Sequence, residues 1–432
     1  MSPERSAIGN DTNTGIGAGQ TPRRDIHRTA PAGRHGSGPA SGHDRRPRGV
    51  DRRQPASDRR SALTVTDADG TMAAIDVILR EVHADLAAGW ADRVPGPPDI
   101  LGEDLPETLL GWLLPATGKR LRPLMCHWGW VAAHGRSDGL SDGQPAGDVA
   151  LDPSGHDVMV RTGAALELLH LFALVHDDIM DRGHSRRGRA TAHVEAAAAH
   201  ESHGALGDPA LFGDSVAILL GDLALSEAAV LIADAPASLR SLWREMLREL
   251  VHGQLLDVTA AAARRRDLDH ARRVARLKSG AYTIQRPLLL GALAAGADDD
   301  QLAALTAYGE HLGEAFALRD DILGVWGDPA TTGKPVGDDL LAAKATVLLA
   351  EARRLLPAEA SERYLGPACV ITPDDVPHLQ RLMVEAGVRD EVEARIDREL
   401  ALALARLEDA ALHPLGVANL TTLAHATARR TT

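Results

Sequence analysis

An all-α fold is what this sequence predicts, on three observations. Aromatic residues make up only 3% of the chain, so the core must be built from Ala, Leu and Val, and Ala and Leu are strong helix formers. Long stretches repeat apolar residues at three- and four-residue spacing, the period of a buried helical face. No run alternates apolar and polar residues with period two, as a half-buried strand would.

Each element follows from that spacing. Ala73 to Trp90 reads as the first helix, behind a turn-like Asp67 to Gly70. A second helix begins near Arg122. Gly, Asp, Ser and Pro between His134 and Gly155 interrupt the pattern and predict a surface loop. Val158 to Asp181 is a long apolar-periodic run. Val216 to Ala233, Leu239 to Ala263, Leu268 to Ala295, Gln301 to Trp326 and Lys344 to Leu356 follow. Leu379 to Leu407 predicts a final pair of helices. No fixed-period repeat is present.

The 432 residues carry 47 Lys+Arg against 60 Asp+Glu, a net charge of −13. The first 62 residues run the other way, with 12 Arg against six acidic residues and almost no periodic apolar positions. Such a segment cannot bury enough apolar surface to offset chain entropy. Residues 1–70 are therefore expected to form a disordered arm before a single helical domain over 71–432. The arm's Arg45 to Arg60 run could touch an acidic surface, but the acidic body would repel nucleic acid, which is not an expected partner. Cys126 and Cys369 are the only cysteines, too few for a disulfide framework or a four-cysteine zinc site. A reducing, cytoplasmic location is expected. No run of about 18 apolar residues predicts a membrane span, and no apolar segment at the N-terminus predicts a secretory signal.

Two acidic clusters stand out because apolar sequence leads into each. In Leu168 to Asp181, Asp177 and Asp181 are four apart and share a helix face, with Asp178 beside them. Like charges stacked this way weaken a helix. Divalent cations remove that cost, and Mg²⁺ favours carboxylate oxygens while keeping positions open for phosphates. In Glu314 to Pro329, Asp320 and Asp321 again end an apolar helix. One acidic pair is an ordinary solvated helix end; two suggest carboxylate walls facing a common metal cluster.

Cations complete the pattern. Lys119 and Arg122 in Gly118–Pro123 are three apart at a helix start. Arg186 and Arg187 follow the first acidic cluster, and Lys278, Lys334 and Lys344 come later. Arg grips phosphate through a planar fork and Lys acts as a point charge. Two carboxylate pairs and several spaced cations suit two polyanions, one bridged by metal and one clamped directly.

In this order the segments GKRLRP, ELLHLFALVHDDIMD, RRGRATAH, GQLLD, KSGAYT, RDDILGVWGD and TGKPVGDDLLAAKATVLL resemble the trans-type polyprenyl diphosphate synthases, from about residue 73 to 425. The resemblance implies an isoprenoid-synthase-type helical bundle around a central apolar cavity, and a homodimer. It implies condensation of isopentenyl diphosphate with an allylic diphosphate. Asp177, Asp181 and Asp320 would be the principal ligands of a Mg²⁺ cluster, about three ions per site, supported by Asp178 and Asp321. Arg186, Lys278 and Lys334 would hold the allylic diphosphate, Ser279 keeping a hydroxyl beside Lys278. Gln254 and Asp257 would line that side. Lys119, Arg122, His170 and Arg187 would hold isopentenyl diphosphate, and Lys344 would be a further substrate-binding cation. The pattern departs from the family at Ala317, where Gln is usual, and at Gly324, where a third Asp is common.

The resemblance also places chain-length control just before the first acidic cluster. Phe172 lies five positions before Asp177, about 7.5 Å deeper at a helical rise of about 1.5 Å per residue. A large ring there should stop a growing chain, while small Ala173 leaves more room than a second aromatic would. Geranylgeranyl diphosphate, C20, is the expected product and farnesyl diphosphate, C15, the alternative. Terpene cyclases share an aspartate-rich helix but need no clamp for a second diphosphate, so GKRLRP and His170 argue against them. A non-catalytic partner subunit of a prenyl synthase is the remaining alternative, suggested by Ala317.

Overall fold

The computed structural model describes residues 67–93, 104–113, 119–134, 153–186, 188–328, 337–342, 344–367, 369–408 and 410–431. Residues 1–66 of the expected arm, most of the loop between His134 and Gly155, Arg187 and Lys334 lie outside these residues. Asp67 to Gly70 of that arm belong instead to the start of the first helix.

The described residues build a helical bundle. In chain order it contains α1 (Ala68–Ala91), α2 (Leu105–Leu113), α3 (Leu121–Ala133) and α4 (Pro153–Met180). A two-residue hairpin follows, β1 (Ser185–Arg186) and β2 (Arg189–Ala190), antiparallel with Arg186 opposite Arg189. Then come α5 (Ala192–Ser202), α6 (Pro209–Ile232), α7 (Ala237–Ala263) and α8 (Leu268–Val274). A wide-turned π-helical segment, Ala275–Gln285, runs directly into α9 (Arg286–Ala294). The C-terminal part holds α10 (Asp299–Trp326), α11 (Asp338–Leu341), α12 (Val347–Leu355), α13 (Ala358–Leu365), α14 (Val376–Glu385), α15 (Val388–Glu408) and α16 (Pro414–Ala428).

Most of the expected helices are found, with shifted ends. Asp67 is the first N-cap, its carboxylate accepting from the Asp69 amide at 2.9 Å, so the turn-like segment already begins the helix. The expected helix from Leu268 to Ala295 contains the π segment instead of a uniform α-helix. Five helices were not predicted: α2, α5, α11, α13 and α16. The pair expected to close the domain is followed by α16, which packs on α3 and α10. Tyr308 in α10, fully buried, donates its hydroxyl to the Leu420 carbonyl in α16 at 2.8 Å.

The bundle is held by close helix approaches. α4 packs on α6, α3 on α9, and the π segment on α10. At the last of these, a Cβ on Gly280 would come within 2.7 Å of the Gly313 carbonyl, and one on Gly313 within 3.0 Å of the Gly280 carbonyl. Only glycines allow that spacing, which sets the π segment directly against the helix bearing the second acidic cluster. Two helices, α4 and α6, contain stretches long and apolar enough to cross a membrane. The α4 stretch is 61% buried inside the bundle, and the same helix carries the first acidic cluster.

Candidate active site

The first acidic cluster closes α4. Asp177 and Asp178 sit in its last turn, and the Asp181 amide donates to the Asp177 carbonyl at 2.8 Å. Helical spacing therefore persists to Asp181. Asp177 Oδ1 accepts from Lys278 Nζ at 2.9 Å and from Gln254 Nε2 at 3.1 Å. Lys278 Nζ donates a second bond to Asp257 Oδ2 at 2.6 Å. One carboxylate thus ties together α4, α7 and the π segment. The extra residue in each π turn re-aims a side chain relative to an α-helix, a device common at functional sites; here the segment presents Lys278, followed by Ser279.

Asp178 is nearly fully buried, 4% exposed. The Arg186 guanidinium grips it through a fork, Nε within 2.9–3.0 Å of both oxygens and Nη2 at 2.6 Å from one. The hairpin exists to deliver that fork: β1 carries Arg186, and Thr191 just beyond β2 donates its hydroxyl to the Gly183 carbonyl at 2.7 Å. Arg186 Nη2 also stands 3.9 Å from Asp177.

The second acidic cluster lies near the end of α10. Asp320 is ion-paired with Arg430, at the C-terminal end of the described chain. The Arg430 guanidinium also lies over the Phe316 ring, 4.2 Å from its centre, a cation–π contact. Asp321 accepts from the Leu348 amide at 3.2 Å, at the N-terminus of α12. Burial and the nearby charge of Asp339 nevertheless push its carboxyl well above the usual carboxylate range.

Lys344 links the first cluster to Asp339 of α11, whose charge in turn bears on Asp321. Its ammonium stands 2.9 Å from Asp181 and 3.6 Å from Asp339. Burial disfavours its charge, but Asp339 and Asp181 outweigh that and hold it protonated far above the ordinary lysine range. Burial likewise opposes charge on Asp177, yet Lys278 and Lys344 hold its carboxyl well below the usual range. Lys278 is raised in turn: Asp177 and Asp257 overcome the burial cost. Arg186 follows the same logic with Asp178.

A third group sits on the π segment beyond Lys278. His170 Nδ1 and the Tyr282 hydroxyl are 2.9 Å apart. Arg122 stacks on the Tyr282 ring at 4.1 Å and donates to Thr283 Oγ1 at 2.8 Å. Burial pushes the Tyr282 hydroxyl up to about 12, so it stays a neutral donor. Lys119 is exposed just before α3. Partial burial and the charge of Arg430 lower its pKa, while Asp320 acts the other way. Phe172 and Ala173 are half-buried on α4, and the Phe172 ring meets His176 at 4.7 Å between centres.

Sequence reasoning missed Asp339, Tyr282, Thr283 and Arg430. Asp339 and the Tyr282–Thr283 pair lie inside the segments TGKPVGDDLL and KSGAYT, where an acid after glycine and a polar pair after Lys278 were visible signals. Arg430 belongs to the terminal Arg429–Arg430 pair, with nothing local to distinguish it from a solvated end.

The donor set suits a hard divalent cation, being made of carboxylates on two helices. Among the described residues no three such groups converge on one preformed cage. That is the arrangement Mg²⁺ tolerates, since it is commonly held by one or two carboxylates together with substrate phosphates. Each principal acid is meanwhile compensated by a cation: Asp177 by Lys278, Asp181 by Lys344 and Asp320 by Arg430.

The chain is similar to known proteins in the same sense. A geranylgeranyl diphosphate synthase of Mycobacterium tuberculosis is 37% identical over 260 residues, 58% of this chain and 69% of that protein. A (2E,6E)-farnesyl diphosphate synthase of Mycobacterium bovis is 37% identical over 239 residues, 52% of this chain and 62% of that protein's length. Among solved structures, geranylgeranyl pyrophosphate synthase from Corynebacterium glutamicum, complexed with isoprenyl diphosphate and magnesium, aligns with a TM-score of 0.73 and 35% identity. That alignment covers 84% of this chain and 99% of the other. The polyprenyl synthetase family profile matches residues 105–367, more than half of the sequence, and the chain belongs to that family.

Proposed function

We propose that this prenyltransferase condenses isopentenyl diphosphate with an allylic diphosphate to make geranylgeranyl diphosphate, C20. The observation that supports the reading is the network joining the first carboxylate cluster to Lys278, Arg186 and Lys344, with Arg122 and His170 gathered separately around Tyr282. Two separate groups of cations suit two polyanions.

Asp177, Asp181 and Asp320 would hold Mg²⁺, supported by Asp178 and Asp321; when bound it supplies charge stabilisation for a departing diphosphate. Lys278, Arg186 and Lys334 hold the allylic diphosphate and stabilise the charge that builds on it as the C–O bond ionises. Gln254 and Asp257 orient Asp177 and Lys278. Lys119, Arg122, His170 and Arg187 fix isopentenyl diphosphate, whose double bond attacks the allylic cation; the gain comes from holding both reactants in register. The released proton passes to the departing diphosphate. The apolar residues before Asp177 exclude water from the cation, and Phe172 sets the depth available to the chain.

Two features support a homodimer. α6 exposes Leu211, Ile218, Leu219 and Val230, and α7 exposes Val251, Leu255 and Val258 at helical spacing. A second copy would cover such a face. The expected location is cytoplasmic.

Farnesyl diphosphate is the second reading, favoured by the similarity to farnesyl synthases. The test is a product assay on the full chain with isopentenyl diphosphate and dimethylallyl, geranyl or farnesyl diphosphate, with and without Mg²⁺. A Mg²⁺-dependent C20 product supports the reading. Arrest at C15 selects the farnesyl alternative. No product from any primer, with the protein folded, selects a non-catalytic subunit.

A further inference from the structure

A cavity of about 520 Å³ lies between the π segment, α10 and α15. Asp177, Lys278 and Asp320 do not line it, although Lys278 belongs to the segment that forms one wall. Its inner surface includes the buried apolar residues Ala281, Ala317 and Leu318. Its volume falls in the range of small-molecule sites, roughly 300–1,000 Å³.

The rim is basic. Arg272, Arg273 and Arg276 line the cavity within about one helical turn, and all three are exposed. None makes an ion pair among the described residues. Other arginines in this part of the molecule are matched: Arg265 with Asp267, Arg286 with Glu249, Arg395 with Glu314. Two carboxylates that border the cavity are already engaged, Glu314 by Arg395 and Glu399 by His311 at 2.8 Å. Glu310 also lines the cavity. In a chain of net charge −13, this leaves three exposed arginine forks, none ion-paired among the described residues, beside buried apolar wall residues.

We propose that this cavity is a second binding site, for an amphiphile with a phosphate or diphosphate head and an apolar tail. The arginine forks take the head, and the tail lies against Ala317 and Leu318. Ala317 matters because a longer side chain there would occupy the floor. The cavity adjoins the second acidic cluster, with Ala317 one turn of α10 before Asp320 and Asp321, but none of the clusters' aspartates lines it, so a single chain binds amphiphilic diphosphate in two places. Using an allylic analogue as the probe rests on the prenyltransferase reading.

The experiment is equilibrium dialysis of the full chain against radiolabelled farnesyl thiodiphosphate, with Mg²⁺ and saturating isopentenyl diphosphate. About two molecules per chain are expected. Replacing Arg272, Arg273 and Arg276 together by Gln weakens one of them at least tenfold, roughly the value of a charge-assisted contact, and leaves the other. Ala317→Gln weakens the same molecule by filling the floor, and Asp177→Asn weakens the opposite one. One molecule per chain, lost in Asp177→Asn, overturns the second site and leaves the active-site reading standing. One molecule lost only in the arginine variant supports the cavity and overturns the active-site reading. A second molecule indifferent to both the arginine variant and Ala317→Gln overturns the cavity assignment. Lysophosphatidate then distinguishes the sources: displacement of the cavity molecule supports a phospholipid head, and no displacement supports a prenyl diphosphate. Inorganic pyrophosphate competing as well as the analogue overturns the role of the apolar floor.

Discussion

The carboxylate of Asp339 fills the space that a side chain on Gly324 would need; a Cβ there would collide with its oxygens. Gly324 is where a third acid of the second cluster would sit, and Asp339 brings a carboxylate to that spot from α11. From there it pairs with Lys344 and raises Asp321. Gly324→Ala should therefore push Asp339 away and destabilise the protein by about 1–3 kcal/mol, the usual cost of overpacking. Adding Asp339→Ala should recover part of that loss, because the two positions share one space. Urea unfolding of both singles and the double measures it. Equal additive losses would sink the steric account.

Lys278 compensates two acids at once. Lys278→Met removes the cation bonded to both Asp177 and Asp257 in a largely buried site, leaving Asp177 only its longer-range neighbours Arg186 and Lys344, which should cost about 3 kcal/mol at neutral pH. Turnover should fall by about 10²–10³, the scale for losing one electrostatic contact to developing charge. The pH dependence has a definite sign. Asp177 is depressed in the folded state, so its contribution is present above its unfolded value and fades as pH falls through the folded one. Wild type and variant should differ most near neutrality and converge in acid. A constant difference across pH would contradict this.

Arg430 is paired with Asp320 and would compete with a metal held there. Arg430→Ala should lower the Mg²⁺ concentration for half-maximal activity several-fold, because the carboxylate is no longer neutralised. The stability loss should stay near 1 kcal/mol, as for a partly exposed ion pair. A Mg²⁺ titration decides it: a higher requirement would show that Arg430 supports the metal site.

The helical fold and both acidic clusters were legible because apolar period and charge clustering are local signals. α4 and α10 needed only their own sequence to announce a buried face ending in carboxylates. Pairings that depend on distant chain were not legible. Nothing near Arg430 says that it folds back over Phe316, and nothing near Gly324 says that Asp339 fills its space. The π segment was read as plain helix because its apolar residues fit that period well enough; it lies against α10 where Gly280 meets Gly313. Short helices such as α2 and α13 carry too few turns for periodicity to register.

Phe172 tests chain length. Its half-buried ring packs on His176 one turn nearer to Asp177. Phe172→Ala should shift the product distribution beyond C20, with isopentenyl diphosphate consumption per primer rising in step. Chromatography of dephosphorylated products measures it. An unchanged distribution would make Phe172 a packing residue only.

His127 should give the fold an acid-side weakness. It is fully buried on α3, with Nδ1 3.0 Å from the Thr71 hydroxyl. Its Nε2 finds no partner among the described residues. Burial, with help from His156, holds its pKa down to about 4. The unfolded chain therefore binds a proton that the folded chain refuses between about pH 6.5 and 4. The stability linked to His127 is full above about pH 6.5, falls as pH drops towards 4, and levels off below. The full effect is on the order of 3 kcal/mol. His156, His193 and His413 are shifted in the same direction, so only a comparison isolates His127. His127→Gln keeps a partner for Thr71 but cannot take up the proton. Its unfolding free energy should lose less between pH 7.5 and 4.5 than the wild type's does. Parallel losses in the two proteins would remove His127 as the cause.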